Sequence, residues 1–407
     1  VHVAVITGIY RSINGGNTWV SELGGFFTPF SYFTDIAVTS TGVLYATLSS
    51  DGNQKGIWRS TDGAAWTNIT PSNWPAAYDR IVIGITPTNE DTVYFLAVTP
   101  GSGQLTHNFL GDEEWNSLWR YTYLQGNGAD TNGIWTDLSS NIPPDSGQFG
   151  SFNVQGGYNL IIRVKPDDPN VVFIGGTNLF RSTDGFTTLN NYTQIGGYGI
   201  MTTLPYFNVY PNHHPDQHEI LFLPSSPNAL ISVTDGGIFK TNNCMSTNVT
   251  WTPLNNGYLT TQFYTIALDH GTPNSNVIIG GLQDNGSYFI NSTNPVDPWT
   301  MPSTGDGAFC AITDGGDYFY FSRQRGKLLK VQLDPNGIPI AFTRIDPITD
   351  DTIDGGDYLF INPFILDPNN NNIMYLAEGP RLWRNNDLSQ IVLNNQYDSI
   401  STNWFQF

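Results

Sequence analysis

The sequence predicts an all-β propeller of seven or eight four-stranded blades, with eight favoured, built as a single domain over residues 1–407. Three observations lead there. An aromatic–basic dipeptide recurs along the chain at intervals of 48 to 61 residues. A short Ser/Thr–Asp/Asn–Gly turn follows that dipeptide several times. The composition, with 14% aromatic residues, 42 Gly, 25 Pro and only 13% charged residues, suits many short strands joined by tight turns. Self-similarity at such a period marks a solenoid or a propeller, and strand-like content selects the propeller.

The dipeptides are Tyr10-Arg11, Trp58-Arg59, Trp119-Arg120, Phe180-Arg181, Phe239-Lys240 and Trp383-Arg384. The long gap before the last holds two weaker copies, Tyr288-Phe289 and Leu329-Lys330, which makes eight. Within a repeat the elements keep one order. A β-rich run (80–85, 160–164 or 219–223) is followed by a Pro/Asn/Asp turn such as Pro166-Asp167-Asp168-Pro169. A second strand comes next (93–97 or 171–175), then the aromatic–basic strand, then a turn and a fourth strand that carries Trp. The first repeat has no innermost strand ahead of Val1, so that strand is expected from upstream sequence or by closure from the far end.

The turn between third and fourth strands carries the sharpest motif. Ser12, Asn14, Gly16 and Trp19 make one copy; Ser60, Asp62, Gly63 and Trp66 make a second. Ser182, Asp184 and Gly185 open a third, and Thr241-Asn242-Asn243 and Asn385-Asn386-Asp387 are eroded copies. In such a hairpin the Asp or Asn side chain accepts backbone N–H groups across the turn, and Gly supplies the positive φ. The Trp is expected to pack between neighbouring blades.

Composition also excludes partners. A net charge of −19, from 16 basic against 35 acidic residues, repels nucleic acid and anionic membrane surfaces. No apolar run approaches the length that inserts into a bilayer. Calcium and neutral, hydroxyl-rich ligands suit the charge better. Two cysteines, Cys244 and Cys310, allow at most one disulfide, and Cys310 in the apolar run 308–312 reads as a buried thiol. The chain opens in mid-strand without Met, so it is expected to be a processed or partial chain.

The repeat resembles the Asp-box, or BNR, repeat of sialidases, xyloglucanases and sortilin-type propellers. Further stretches narrow the likeness: His213-His214-Pro215-Asp216-Gln217-His218 running into Thr234-Asp235-Gly236-Gly237-Ile238, then Gly280-Gly281-Leu282-Gln283-Asp284-Asn285-Gly286, then Gly305-Asp306-Gly307. With Leu382-Trp383-Arg384-Asn385-Asn386 and Ile400-Ser401-Thr402-Asn403-Trp404, they resemble the sortilin-like BNR proteins that Bacteroidota secrete, often by the type IX route. That resemblance implies an extracellular or cell-surface protein, further domains beyond the propeller, and the type IX secretion machinery as a partner. It also implies that the box turns are structural.

Propeller topology sorts the remaining motifs by face. Turns between second and third strands, and connections from a fourth strand to the next first strand, open opposite the box turns. Residues 213–218, Asp235, Asp284 and Asp306 all belong there, as do Asp354, Asp357, Glu378, Arg323 and Arg325. The aromatic residues Tyr206, Phe207, Tyr258 and Phe263 join them. Carboxylates among aromatic rings suit carbohydrate, which stacks on rings and bonds through hydroxyls. Glycoside hydrolysis would need two carboxylates, for which Asp284 and Asp306 are the candidates, with Asp235 third. The plainer reading makes Asp235 and Asp284 turn formers.

His213, His214, Asp216 and His218 offer imidazole with carboxylate, as zinc requires, but their spacing matches no zinc motif and a hydrogen-bonded loop lock is the alternative. Calcium on the acidic loops is the other candidate ion, without an EF-hand or nonapeptide repeat to mark it. Sialidase chemistry needs an arginine cluster, and seven of the 16 basic residues are committed to the repeat.

The expectation is therefore a non-catalytic secreted propeller that binds polysaccharide or a cell-surface protein, with His213, His214, Asp216, His218, Arg323, Arg325, Tyr258 and Phe263 as binding candidates. The alternative is a xyloglucanase-like glycoside hydrolase with paired carboxylates. A third possibility is an adhesin or secretion cargo for which the propeller is a rigid platform.

Overall fold

The computed structural model describes residues 1–407 apart from 27–28, 109–110, 147–148, 200–201, 203–207, 259–260 and 350–356. Tyr206, Phe207 and Asp354 therefore lie outside the described residues. The fold is an all-β propeller whose eight antiparallel sheets follow one another along the sequence. Among the described residues six sheets have four strands, the first has three and the third has five. Two compact units divide them: Val1–Gly257 holds blades 1–5 and Tyr258–Phe407 holds blades 6–8.

All eight dipeptides sit on the same element. They lie on Gly8–Arg11, Gly56–Ser60, Glu113–Tyr123, Leu179–Ser182, Gly237–Thr241, Gly286–Asn291, Leu328–Leu333 and Arg381–Asn385. In blade 1 only one strand, His2–Val5, precedes the dipeptide strand, so that blade begins at the second position. Blade 3 gains its fifth strand because Glu113–Tyr123 is long enough to pair with Gln104–His107 as well as with its regular partners.

The middle strands of blades 2, 3, 4 and 7 are buried on both faces and read as near-continuous apolar runs, whereas blade 8 leaves Ile365, Leu382 and Phe405 exposed. Leu96, Leu118, Ile162, Ile174 and Phe180 pack blade 3 on blade 4, and Phe173, Leu230, Phe239 and Trp251 pack blade 4 on blade 5. In the second unit, Ile279, Phe289, Phe321 and Leu329 join blades 6 and 7, while Tyr320, Met374, Leu376 and Trp404 join blades 7 and 8.

In three repeats the basic member of the dipeptide reaches across to the following blade, whereas Arg11 and Arg384 meet Glu22 and Tyr375 in their own blades. Arg59 lies 4.1 Å from the centre of the Tyr123 ring, and the Arg181 guanidinium donates to the carbonyls of Cys244 and Ser246. Lys330, almost wholly buried, donates to Leu388 O (2.9 Å) and Ile391 O (3.1 Å) and lies over Tyr318. A buried charge needs this kind of partnering, so at these three positions the basic residue joins two blades rather than supplying a surface charge.

The box turns form as the sequence indicates. Ser60 Oγ accepts Gly63 N–H (2.9 Å), and Asp62 Oδ1 accepts Ala64 and Ala65 N–H (2.9 and 2.8 Å). Ser12 and Asn14 do the same for Gly16 and Thr18, and Ser182 and Asp184 for Phe186 and Thr187. Gly63 and Gly185 take φ of +70° and +69°. The Trp expectation needs one correction. Trp66 packs against the core shared by blades 1 and 2, but Trp19 is 41% exposed and bonds its own turn at Gly16 O. The third copy has no Trp, and Tyr192 packs on the core there instead. Both thiols are free; Cys244 is buried and Cys310 only partly so.

Candidate functional site

Antiparallel order puts the 2–3 turns and the 4–1 connections at the end of each blade opposite the box turns. In the first unit this end carries a linked set of polar side chains. Asp235 and Gly236 form the 2–3 turn of blade 5, between Ser226–Thr234 and Gly237–Thr241. Residues 213–216 lead into Gln217–Leu223, the first strand of that blade, and dock on the 2–3 turn of blade 4: Asp216 N–H donates to Thr177 O (3.0 Å) and Gln217 N–H to Gly176 O (2.8 Å). Gln217, fully buried, ties the segment internally by accepting from Ser232 and donating to His214 O.

Asp235 is the hub. Its Oδ1 lies 2.5 Å from His218 Nε2, and Tyr158 O–H reaches both of its carboxylate oxygens (3.2 and 3.3 Å). The Tyr158 ring meets the His218 ring edge-on at 5.1 Å. Tyr158 is half-exposed, whereas the Asp235 side chain is mostly covered. The three groups thus present an aromatic ring, an imidazole and a carboxylate at the open end of blades 4 and 5.

Tyr158 arrives on the 4–1 connection from blade 3, and that connection is clamped from both sides. Glu114 accepts Val154 N–H (2.8 Å) and Gly156 N–H (3.3 Å), while Arg80 donates to the carbonyls of Gly157 and Tyr158 (2.8 Å each). Burial pushes the Glu114 carboxyl up, and the amide donors pull it partly back. Sequence reasoning missed Tyr158. The signal was its place in Gly156-Gly157-Tyr158-Asn159, immediately before a first strand, by the same rule that selected residues 213–218.

The remaining candidates of this segment divide. His213 is a core residue, not a surface ligand. Its ring stacks 4.2 Å from Trp251, Nδ1 accepts Gly197 N–H (3.0 Å), and burial pulls it down to about 3. It is therefore neutral and closed to solvent. His214 packs over Gly236, with Nδ1 3.0 Å from Pro215 O. Asp216 is buried at φ +66° and accepts from Asn159 Nδ2 (2.7 Å).

In the second unit, Asp284 takes φ +61° in the 2–3 turn of blade 6, as the turn-former reading expects. Asp306 Oδ1 accepts the Asp284 N–H (3.0 Å), so one oxygen of the proposed acid or base already holds that turn. Gly307 is packed so closely that a Cβ there would fall 1.9 Å from Gly286 O. Arg323 is buried and donates to Tyr397 O–H (2.7 Å), Ser303 and Thr304, which makes it a brace rather than an open cation. Arg325 takes φ +56° and its N–H donates to Phe360 O. Tyr258 and Phe263 are both exposed, and Phe263 lies 5.4 Å from Trp299, a neighbour the sequence reading did not name.

No family model and no curated protein matches this chain. Solved structures match in fold. An ancestral GH74 enzyme is 14% identical over 95% of this chain and 53% of its own, with a TM-score of 0.54. A GH74 enzyme of Niastella koreensis is 16% identical over 97% and 59% respectively, with a TM-score of 0.41. The GH74 xyloglucanase of Xanthomonas campestris is 13% identical over 93% and 57%, with a TM-score of 0.31. The chain spans little more than half the length of these proteins, and at such identities the likeness is one of fold.

Proposed function

We propose that this chain is a carbohydrate-recognising propeller module that binds neutral polysaccharide around Tyr158, His218 and Asp235. The observation that carries this is the mutual bonding of those three side chains at the end of blades 4 and 5 opposite the box turns. A half-exposed tyrosine offers a ring face, while the imidazole and carboxylate offer a donor and an acceptor to hydroxyls. A glycan-array screen followed by titration calorimetry tests the reading. Binding should weaken at least tenfold in Asp235→Asn, and an array without hits would end it.

A second reading, glycoside hydrolysis, has the fold likeness to a GH74 enzyme in its favour. It calls for an acid and a base about 5–10 Å apart, with Asp284 and Asp306 as the pair. Reducing-sugar release from xyloglucan that disappears in Asp284→Asn would establish it. Because Asp306 holds the Asp284 amide, Asp306→Ala would disturb the turn as well, and Asp284→Asn is the cleaner probe.

The motif resemblance supports a place among sortilin-like BNR proteins secreted by Bacteroidota through the type IX route. Extracellular location follows from that reading, and fractionation of the native host with an antibody to this chain would check it. Retention in the cytoplasm would contradict it.

A further inference from the structure

We infer that Asp216, Asp235 and Asn159 form a binding site for a hard divalent cation of the calcium class, at the same end of the first unit. One carboxylate oxygen of Asp216 and one of Asp235 lie within 4.8 Å of each other. Calcium binds oxygens at about 2.3–2.6 Å, so two ligands of one ion stand roughly 3–5 Å apart. The separation therefore suits a shared ion.

An independent observation comes from Asn159. This residue is wholly buried, and its Nδ2 donates to Asp216 Oδ1 (2.7 Å) and Gln155 Oε1 (3.1 Å). Both amide hydrogens are thereby used, which fixes the amide orientation. Its Oδ1 is left buried with no donor. A buried carbonyl oxygen without a hydrogen to accept is costly, and bonding to a cation removes that cost. The amide that carries this oxygen is bonded to Asp216, and an amide carbonyl together with carboxylates is an oxygen set of the kind calcium takes.

The imidazoles do not convert this into a zinc site. Among the described residues no imidazole nitrogen joins the Asp216 and Asp235 oxygens where they converge, and His213 is stacked in the core. That leaves oxygen ligands, which favour a hard ion over a transition metal. The ion would hold the 213–218 segment to the Asp235 turn.

Titration calorimetry of the chelator-treated chain with calcium chloride tests this without any glycan, so its failure is separate from failure of the polysaccharide reading. A dissociation constant of about 1 mM or tighter is expected, in the range of extracellular calcium modules. Asp216→Asn should weaken it at least tenfold, and Asn159→Ala should weaken it less. If Asp216→Asn does not fold, Asp235→Asn replaces it, with the same weakening expected. Absence of calcium heat in the wild-type chain at about 10 mM, undiminished affinity in the Asp variant, or a clear preference for zinc over calcium would each overturn the inference.

Discussion

At the residue scale, the same side-chain type does opposite work according to its surroundings. His213 and His218 stand five positions apart. One is buried against Trp251, and the other is partly open and paired with Asp235. Burial holds His213 near 3, below its ordinary 6.5, so the unfolded chain binds one more proton between those values. Stability from this group is fully present above about pH 6.5 and is lost as pH falls toward 3, at up to about 1.4 kcal/mol per pH unit. Urea unfolding followed across that range should show a flatter acid limb in His213→Gln than in the wild-type chain.

Asp184 shows the other carboxylate case. Burial raises it, but hydrogen bonds from Thr188 and Ser182 win and hold it near 2. Its contribution is present above the ordinary value of 3.8 and is lost as pH falls through about 2. Asp184→Ala should cost roughly 1 kcal/mol at neutral pH, as removal of a comparable cap does, and the cost should shrink as pH falls from 3.8 through about 2.

At the element scale, blades are joined by side chains that reach from one third strand into the next blade. Lys330→Ala removes the donor to two carbonyls and the cation over Tyr318. It should destabilise by about 2–4 kcal/mol in denaturant unfolding. A loss below about 0.5 kcal/mol would show that this stitch is dispensable. Gly307→Ala should cost at least about 2 kcal/mol, because the added Cβ has only backbone to displace. Thermal unfolding of the variant checks it.

Much of this scale was legible in the sequence. The dipeptide register, the three best box turns and the strand order depend on local pattern, and the sheets follow them. The 213–218 segment was placed at the correct end for the same reason. The burial of His213 and Arg323 was not legible, because it depends on rings such as Trp251 and Tyr397, which are distant in sequence. Tyr158 escaped because a lone tyrosine before a strand carries no motif of its own. The part Asp306 plays in holding the Asp284 turn could not be read either, since the bond forms to a backbone amide 22 residues away.

At the scale of the whole molecule, repetition supplies the frame and departures from it supply the chemistry. The box turns and the polar cluster occupy opposite ends of the blades in the first unit. A net charge of −19 should exclude polyanions such as heparin while leaving neutral polysaccharides unaffected. Affinity for a neutral glycan should accordingly change by less than about twofold between low and physiological salt, because screening acts mainly on charged partners.

The most direct measurement compares polysaccharide affinity, by calorimetry, in the wild-type chain, Asp235→Asn and Asp62→Asn. The account predicts at least a tenfold loss in the first variant and wild-type binding in the second, since Asp62 serves only its own turn. Unchanged binding in Asp235→Asn, or loss in Asp62→Asn with its fold intact, would place recognition at the other end and contradict it.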